Sequence, residues 1–153
     1  MIDFEKKANE LFRDFGTHET MVLSTSLNNK VSSRAMSVIV IDGMFLFQTD
    51  RNSRKYNQIK VNPNVALCVN NIQIEGVCKE IGKPTDCKKF CELYKEFYPR
   101  AYELYSNLRN EMLFCIEPVF IQKWIYENGN PYIETWDFIS KKYEKQLYEI
   151  KGE

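Results

Sequence analysis

The chain has 153 residues, enough for one hydrophobic core and too few to call for several, so residues 1–153 read as a single domain. Lys+Arg and Asp+Glu balance at 21 each, which argues against a nucleic-acid partner, because such surfaces carry a basic excess or stripe. No run of about 18 apolar residues occurs, and the N-terminus opens on an acidic amphipathic segment, so neither a membrane span nor a signal peptide is expected. The five cysteines are an odd number with no secretion signal, which suits free thiols in a reducing cytoplasm.

From the N-terminus, Asp3–Phe15 places Phe4, Ala8, Leu11, Phe12 and Phe15 at helical spacing, and Gly16 suits the helix stop. Met21–Leu27 is β-type, and Asn28-Asn29 reads as a turn. Further strands are expected over 31–41, 44–50, 65–70 and 72–82. Pro84 opens a helix over 85–98, Pro99 ends it, and a shorter helix follows over 100–109. Strands resume over 112–127 and 131–136 around the turn Asn128-Gly129-Asn130. The tail 137–150 reads as a helix with a charged outer face.

The informative stretch is Ser33–Gly76. Ser37–Ile41 is rich in β-branched residues and Met44–Phe47 is apolar and aromatic. Asp42-Gly43 between them is a two-residue hairpin signal, since a type I′ turn needs positive φ at both centres. Antiparallel pairing then brings Arg34 and Thr49 to the same end of the hairpin. Asn52 or Ser53 is the expected N-cap of a helix over 53–61, with Arg54 and Lys55 in its first turn. Cations there run against the helix dipole, a placement that an anion between them would explain, because helix N-termini bind phosphate through free N–H groups. A merely solvated helix start is the plainer alternative; the delivery of Arg34 and Thr49 to the same place favours the anion.

In this order and spacing the motifs resemble the pyridoxamine 5′-phosphate oxidase-like flavoproteins. The resemblance rests on Arg34-Ala-Met-Ser-Val-Ile39, Gln48-Thr49, Ser53-Arg54-Lys55, Asn62-Pro63 and, far downstream, Pro118-Val-Phe-Ile121-Gln-Lys-Trp124. It implies a mainly β fold with helices (α+β): an antiparallel, Greek-key-type FMN-binding split β-barrel flanked by N-terminal, central and C-terminal helices. It implies FMN as cofactor, held by Arg34, Ala35, Met36, Ser37, Gln48, Thr49, Ser53, Arg54, Lys55 and Gln58. In the resembling proteins FMN lies between two subunits, so a homodimer is implied, with Asn71 and Trp124 reaching the neighbour's flavin.

The departures concern the substrate side. Ile39 stands where the oxidases carry a Lys near the flavin, Asn71 about where they carry a Gln, and Asn130 and Tyr132 where they carry an R-x-H pair. The resemblance therefore implies an FMN-dependent oxidoreductase or flavin reductase acting on a small molecule, not an efficient pyridoxamine 5′-phosphate oxidase. A non-catalytic FMN- or haem-binding module and a cofactor-free interaction barrel stay open as alternatives. No catalytic residue is named. No metal is expected either: Cys87 and Cys91 are spaced i to i+4, but a metal needs more ligands than these. His18 reads as a loop residue. The series Phe90, Tyr94, Phe97, Tyr98, Tyr102, Tyr105 reads as helix packing.

Overall fold

The strands are joined by turns whose residues tolerate positive φ. Asn28 and Asn29 (φ 52° and 63°), Asp42 and Gly43 (50° and 74°) and Asn128 and Gly129 (53° and 79°) close successive hairpins. The structure is a computed structural model that describes residues 3–149. Residues 1–2 and 150–153 of the expected domain lie outside them.

Among the described residues eight strands form one antiparallel sheet: β1 (His18–Leu27), β2 (Lys30–Ile41), β3 (Met44–Asp50), β4 (Asn64–Val69), β5 (Ile72–Gly82), β6 (Glu111–Glu127), β7 (Asn130–Asp137) and β8 (Lys142–Leu147). Their order is β3-β2-β1-β4-β5-β6-β7-β8, and β3 also pairs with β6. That last pairing closes six strands into a barrel and leaves β7 and β8 as an extension of the long β6. Four helices accompany it: α1 (Phe4–Phe15), α2 (Arg54–Val61), α3 (Lys88–Phe97) and α4 (Pro99–Tyr105). The expected α+β split barrel is the observed architecture.

The barrel interior holds Met21, Leu23, Val38, Val40, Phe45, Phe47, Leu67, Ile74, Phe114, Ile116 and Ile121. A second cluster lies outside the barrel, where α3 lays Phe90 and Tyr94 on Ile39, Ile41, Leu46, Leu113 and Cys115. This double cover explains the unbroken apolar run Val38–Ile41: side chains alternate between faces, and both faces are buried. Helix α1 buries Phe4, Ala8, Leu11 and Phe15 against the barrel core. Gly16 ends it at φ 73°, its N–H meeting the carbonyls of Phe12 and Arg13.

Three expectations are corrected. The tail is not a helix: Lys142–Leu147 forms β8, paired along β7 from Tyr132↔Leu147 to Asp137↔Lys142. Lys141 at φ 57° turns the chain back, and Tyr143 packs on Trp136. Its charges are a strand's outer face, and the tertiary partner β7 overrides local helix propensity. The expected helix over 85–98 is interrupted: Pro84–Asp86 is a 3₁₀ turn, and α3 begins only after Cys87, whose φ −111° and ψ 99° are extended. His18 is not in a loop but starts β1, its ring stacked 3.7 Å from that of Phe97.

Gly76 sits at a register shift, where β5 passes from Glu75↔Phe120 to Gly76↔Pro118. A Cβ there would come 2.6 Å from Ile116 Cγ2 and 2.7 Å from the Glu117 carbonyl oxygen. Gly76→Ala should therefore destabilise the fold by about 1–3 kcal/mol, the usual cost of overpacking, read as a lower urea midpoint with unchanged m. An unchanged midpoint would show that the strand relaxes freely at this bulge.

Candidate functional site

The β2–β3 hairpin is short. Its ladder joins only Ile39–Ile41 to Met44–Leu46. Further along, β2 pairs with β1 alone, and β3 turns to β6 from Phe45↔Ile116 to Asp50↔Glu111. The facing edges Ala35–Val38 and Phe47–Asp50 thus diverge, and the barrel is split there. Strand edges with free N–H and C=O groups call for partners. Arg34 and Thr49 do lie toward the same end, as expected, but across this split and not through a continued ladder.

Helix α2 closes that end. Ser53 is its N-cap, accepting from the Tyr56 N–H at 3.2 Å, and the Ser53 and Thr49 hydroxyls are hydrogen-bonded at 3.1 Å. Arg34 crosses to the same place from β2. Its Nη1 donates to Thr25 Oγ1 (2.9 Å) and the Leu23 carbonyl (3.3 Å), and its Nη2 to Gln58 Oε1 (3.1 Å). Gln58, itself buried, also accepts from Thr25 Oγ1 at 2.7 Å and donates to Ser32 Oγ at 3.3 Å. Every partner of Arg34 is neutral, so the guanidinium is fixed in place without losing its charge.

Burial, then the nearby Arg54, lowers the pKa of Arg34. Burial, then Arg34, lowers that of Lys55, while Glu111 and Asp50 act the other way. Among the described residues no ion pair includes Arg34, Arg54 or Lys55. Three mutually repelling cations are thus gathered at a helix N-terminus with no acidic side chain bonded to them. A cavity of about 240 Å³ opens beside Arg54 and Gln58, lined also by Leu27, Asn28, Lys30 and Asn57.

On the other side of the split, at the C-terminal end of α4, lies a polar network that sequence reasoning missed. Ser106 Oγ donates to Gln48 Oε1 and Gln48 Nε2 to Glu111 Oε2, both at 2.7 Å. Gln48, expected at the cofactor, has both ends of its amide engaged, by Ser106 and Glu111. Ser37 stands on the edge of β2 near the phenol of Tyr94, whose pKa burial first and Glu111 second push up to about 12. Nothing marks Glu111 or Thr25 in the sequence as site residues, since both owe their places to strand pairing. Asn71 and Trp124 stand apart from the cradle in this chain, the Asn71 amide donating to the Trp124 carbonyl.

The family model described as pyridoxamine 5′-phosphate oxidase matches residues 4–125, most of the chain. The chain belongs to that family. Among solved structures, it is 26% identical to general stress protein 26 from Bacillus anthracis str. Sterne, over 78% of this chain and 92% of that one, with a TM-score of 0.58. A pyridoxamine 5′-phosphate oxidase-related, FMN-binding protein from Nostoc punctiforme is 16% identical, over 95% of each chain, with a TM-score of 0.59. HutZ, the haem storage protein from Vibrio cholerae, is 15% identical, over 76% of this chain and 91% of that one, with a TM-score of 0.54. No curated protein matches the chain.

Glu111 is buried, and this desolvation raises its pKa above the ordinary 4.5, against the opposing pull of the Gln48 hydrogen bond and Lys55. A carboxyl raised on folding holds its proton more tightly in the native state, so stability falls as pH rises from about 4.5 toward the folded value. Glu111→Gln keeps an oxygen acceptor for Gln48. Its stability relative to the parent should match it below pH 4.5 and exceed it increasingly above, as denaturant midpoints across pH 4–8 would report. A constant difference would place the Glu111 carboxylate in a solvated setting.

Proposed function

We propose that the chain is an FMN-binding flavoprotein, an FMN-dependent oxidoreductase or flavin reductase, with the flavin phosphate held at the N-terminus of α2. The observation that carries this reading is the trio Arg34, Arg54 and Lys55, with Arg34 fixed by neutral partners and none of the three bonded to a carboxylate among the described residues. A dianionic phosphate ester is the complement of such a cradle. Arg34 and Arg54 would grip it as planar forks, Lys55 as a point charge, and the hydroxyls of Thr49 and Ser53 would add donors. The open edge Ala35–Ser37 of the split would offer backbone groups to the polar rim of a planar ring system. FMN, when bound, supplies hydride and electron transfer; the protein supplies position and electrostatics.

A homodimer belongs to this reading. The outer sheet face beside the split exposes Val22 and Val31 at 42% and 71%, next to a groove lined by Ser24, Ser26, Ala66 and Val119. Apolar residues left open on one sheet face suit a second copy. Across that interface Asn71 and Trp124 would reach the neighbour's flavin, as the resemblance implies. A non-catalytic module is the second reading, supported by the likeness to a haem storage protein. Haem prefers axial His, Cys, Met or Tyr ligands, and the one histidine, His18, has its ring stacked on that of Phe97. We therefore favour FMN. The small-molecule substrate and a cytoplasmic location stay part of the proposal; among the described residues no helix is long and apolar enough to cross a membrane.

The purified chain should bind FMN at least about tenfold more tightly than riboflavin, since a charge-assisted contact contributes about 1.5–3 kcal/mol. Arg34→Gln should weaken FMN by a similar factor and leave riboflavin nearly unchanged, and sedimentation of the same samples should report a dimer. Fluorescence-quenching titrations give the affinities; equal binding of the two flavins would remove the phosphate from this site.

Pyridoxamine 5′-phosphate itself should be a poor substrate. Ile39 is buried under α3 and brings no charge to the split, and Asn130 and Tyr132 replace a cationic fork and its partner with neutral groups. Pyridoxal phosphate formation by the FMN-loaded dimer should stay well below the usual enzymatic range of about 1 s⁻¹ and above. Turnover within that range would restore the vitamin B6 reaction.

A further inference from the structure

The hydrogen bonds around Arg34 leave one particular part of its fork open. A guanidinium carries five N–H donors in one plane, two on Nη1, two on Nη2 and one on Nε. Both Nη1 hydrogens have acceptors, Thr25 Oγ1 at 2.9 Å and the Leu23 carbonyl at 3.3 Å. One Nη2 hydrogen goes to Gln58 Oε1 at 3.1 Å. The two side-chain acceptors are themselves bonded, Thr25 Oγ1 donating to Gln58 Oε1 at 2.7 Å. Thr25 and Gln58 therefore clasp the end of the fork, where Nη1 and Nη2 lie side by side. What remains is the flank, Nε–H and the second Nη2 hydrogen. These two donors run parallel, the arrangement that grips an oxyanion with two bonds.

We propose that Thr25 is a positioning residue for the flavin phosphate, acting with Gln58 to present the Nε–Nη2 flank of Arg34 to it. This role rests on the phosphate reading above. Amide oxygens cannot donate, so the Thr25 hydroxyl must be the donor in its bond to Gln58. Its single hydrogen is then spent, and its oxygen accepts from Arg34. Gln58 Oε1 accepts twice, and Nε2 donates to Ser32 Oγ at 3.3 Å, which fixes the orientation of the amide. Gln58, expected among the residues that touch the cofactor, holds the cation instead.

Thr25 and Gln58 are 1% and 5% exposed, so water does not compete for the clasp. The clasp joins three elements: Thr25 on β1, Arg34 and Ser32 on β2, and Gln58 on α2, the helix that carries Arg54 and Lys55. It thus sets where Arg34 stands relative to the other two cations. A long side chain ordered before its ligand arrives loses less affinity to that ordering. The competing account is a plain structural pin between β1 and α2, which would act on any flavin alike, with or without a phosphate.

The test is a set of FMN and riboflavin titrations of the full-length protein, followed by flavin fluorescence. Thr25→Val keeps the shape and removes the hydroxyl. It should weaken FMN about tenfold, the lower end of what a charge-assisted hydrogen bond contributes, and move riboflavin by less than about twofold. Thr25→Ser restores the hydroxyl and should recover FMN to within about threefold of the parent. In an Arg34→Gln background, Thr25→Val should cost FMN less than about twofold, because residues that act through one another are not additive. Gln58→Met repeats the comparison from α2 and carries the test if circular dichroism melts show Thr25→Val unfolded. With Arg34→Gln selective against FMN, three results each overturn the positioning role and leave the phosphate reading standing: equal losses for both flavins, no loss in Thr25→Val or Gln58→Met, or full additivity with Arg34→Gln. Arg34→Gln without effect on FMN overturns the phosphate reading and the positioning role with it.

Discussion

The organisation of this molecule depends on the parting of β2 from β3. Three residue pairs after the Asp42-Gly43 turn, the two strands separate, one to β1 and the other to β6. Had the ladder continued, Ser37 would face Gln48 and Met36 would face Thr49, and the barrel would close without a ligand groove. Two coverings make the separation affordable in free energy. Helix α3 buries the outer faces of Ile39, Ile41 and Leu46, and the Ser106–Gln48–Glu111 network satisfies polar groups that would otherwise be buried without partners.

The same parting explains the charge distribution. Arg34 cannot pair across to β3, so it reaches sideways to Thr25 and Gln58, both neutral. A carboxylate in either position would neutralise it, and the site would become a structural ion pair. Gln58, about one and a half turns along α2 from Ser53, links α2 to β1 and β2 together. Two residues of the expected ligand set, Gln58 and Gln48, are engaged by other side chains of the chain, Gln58 by Arg34 and Gln48 by Glu111. This division between residues that touch an anion and residues that aim them is invisible to a motif.

Local chemistry determined the hairpins, α1 with its Gly16 stop, the N-cap at Ser53 and the cationic first turn of α2, because turn geometry, capping and hydrophobic period are set by neighbours in the sequence. The motif order, from Arg34 through Ser53-Arg54-Lys55 to Pro118–Trp124, was enough to indicate the family and the split barrel. Tertiary structure decided the rest. The tail became β8 because β7 offered a free edge with Trp136 to pack on Tyr143, an outcome no helix propensity records. The helix after Pro84 broke at Cys87, and Glu111 and Thr25 entered the site through strand register, across separations that leave no periodic trace. Short-range interactions write themselves into residue order; pairing between distant strands is settled only when the barrel closes and each buried polar group must find its partner.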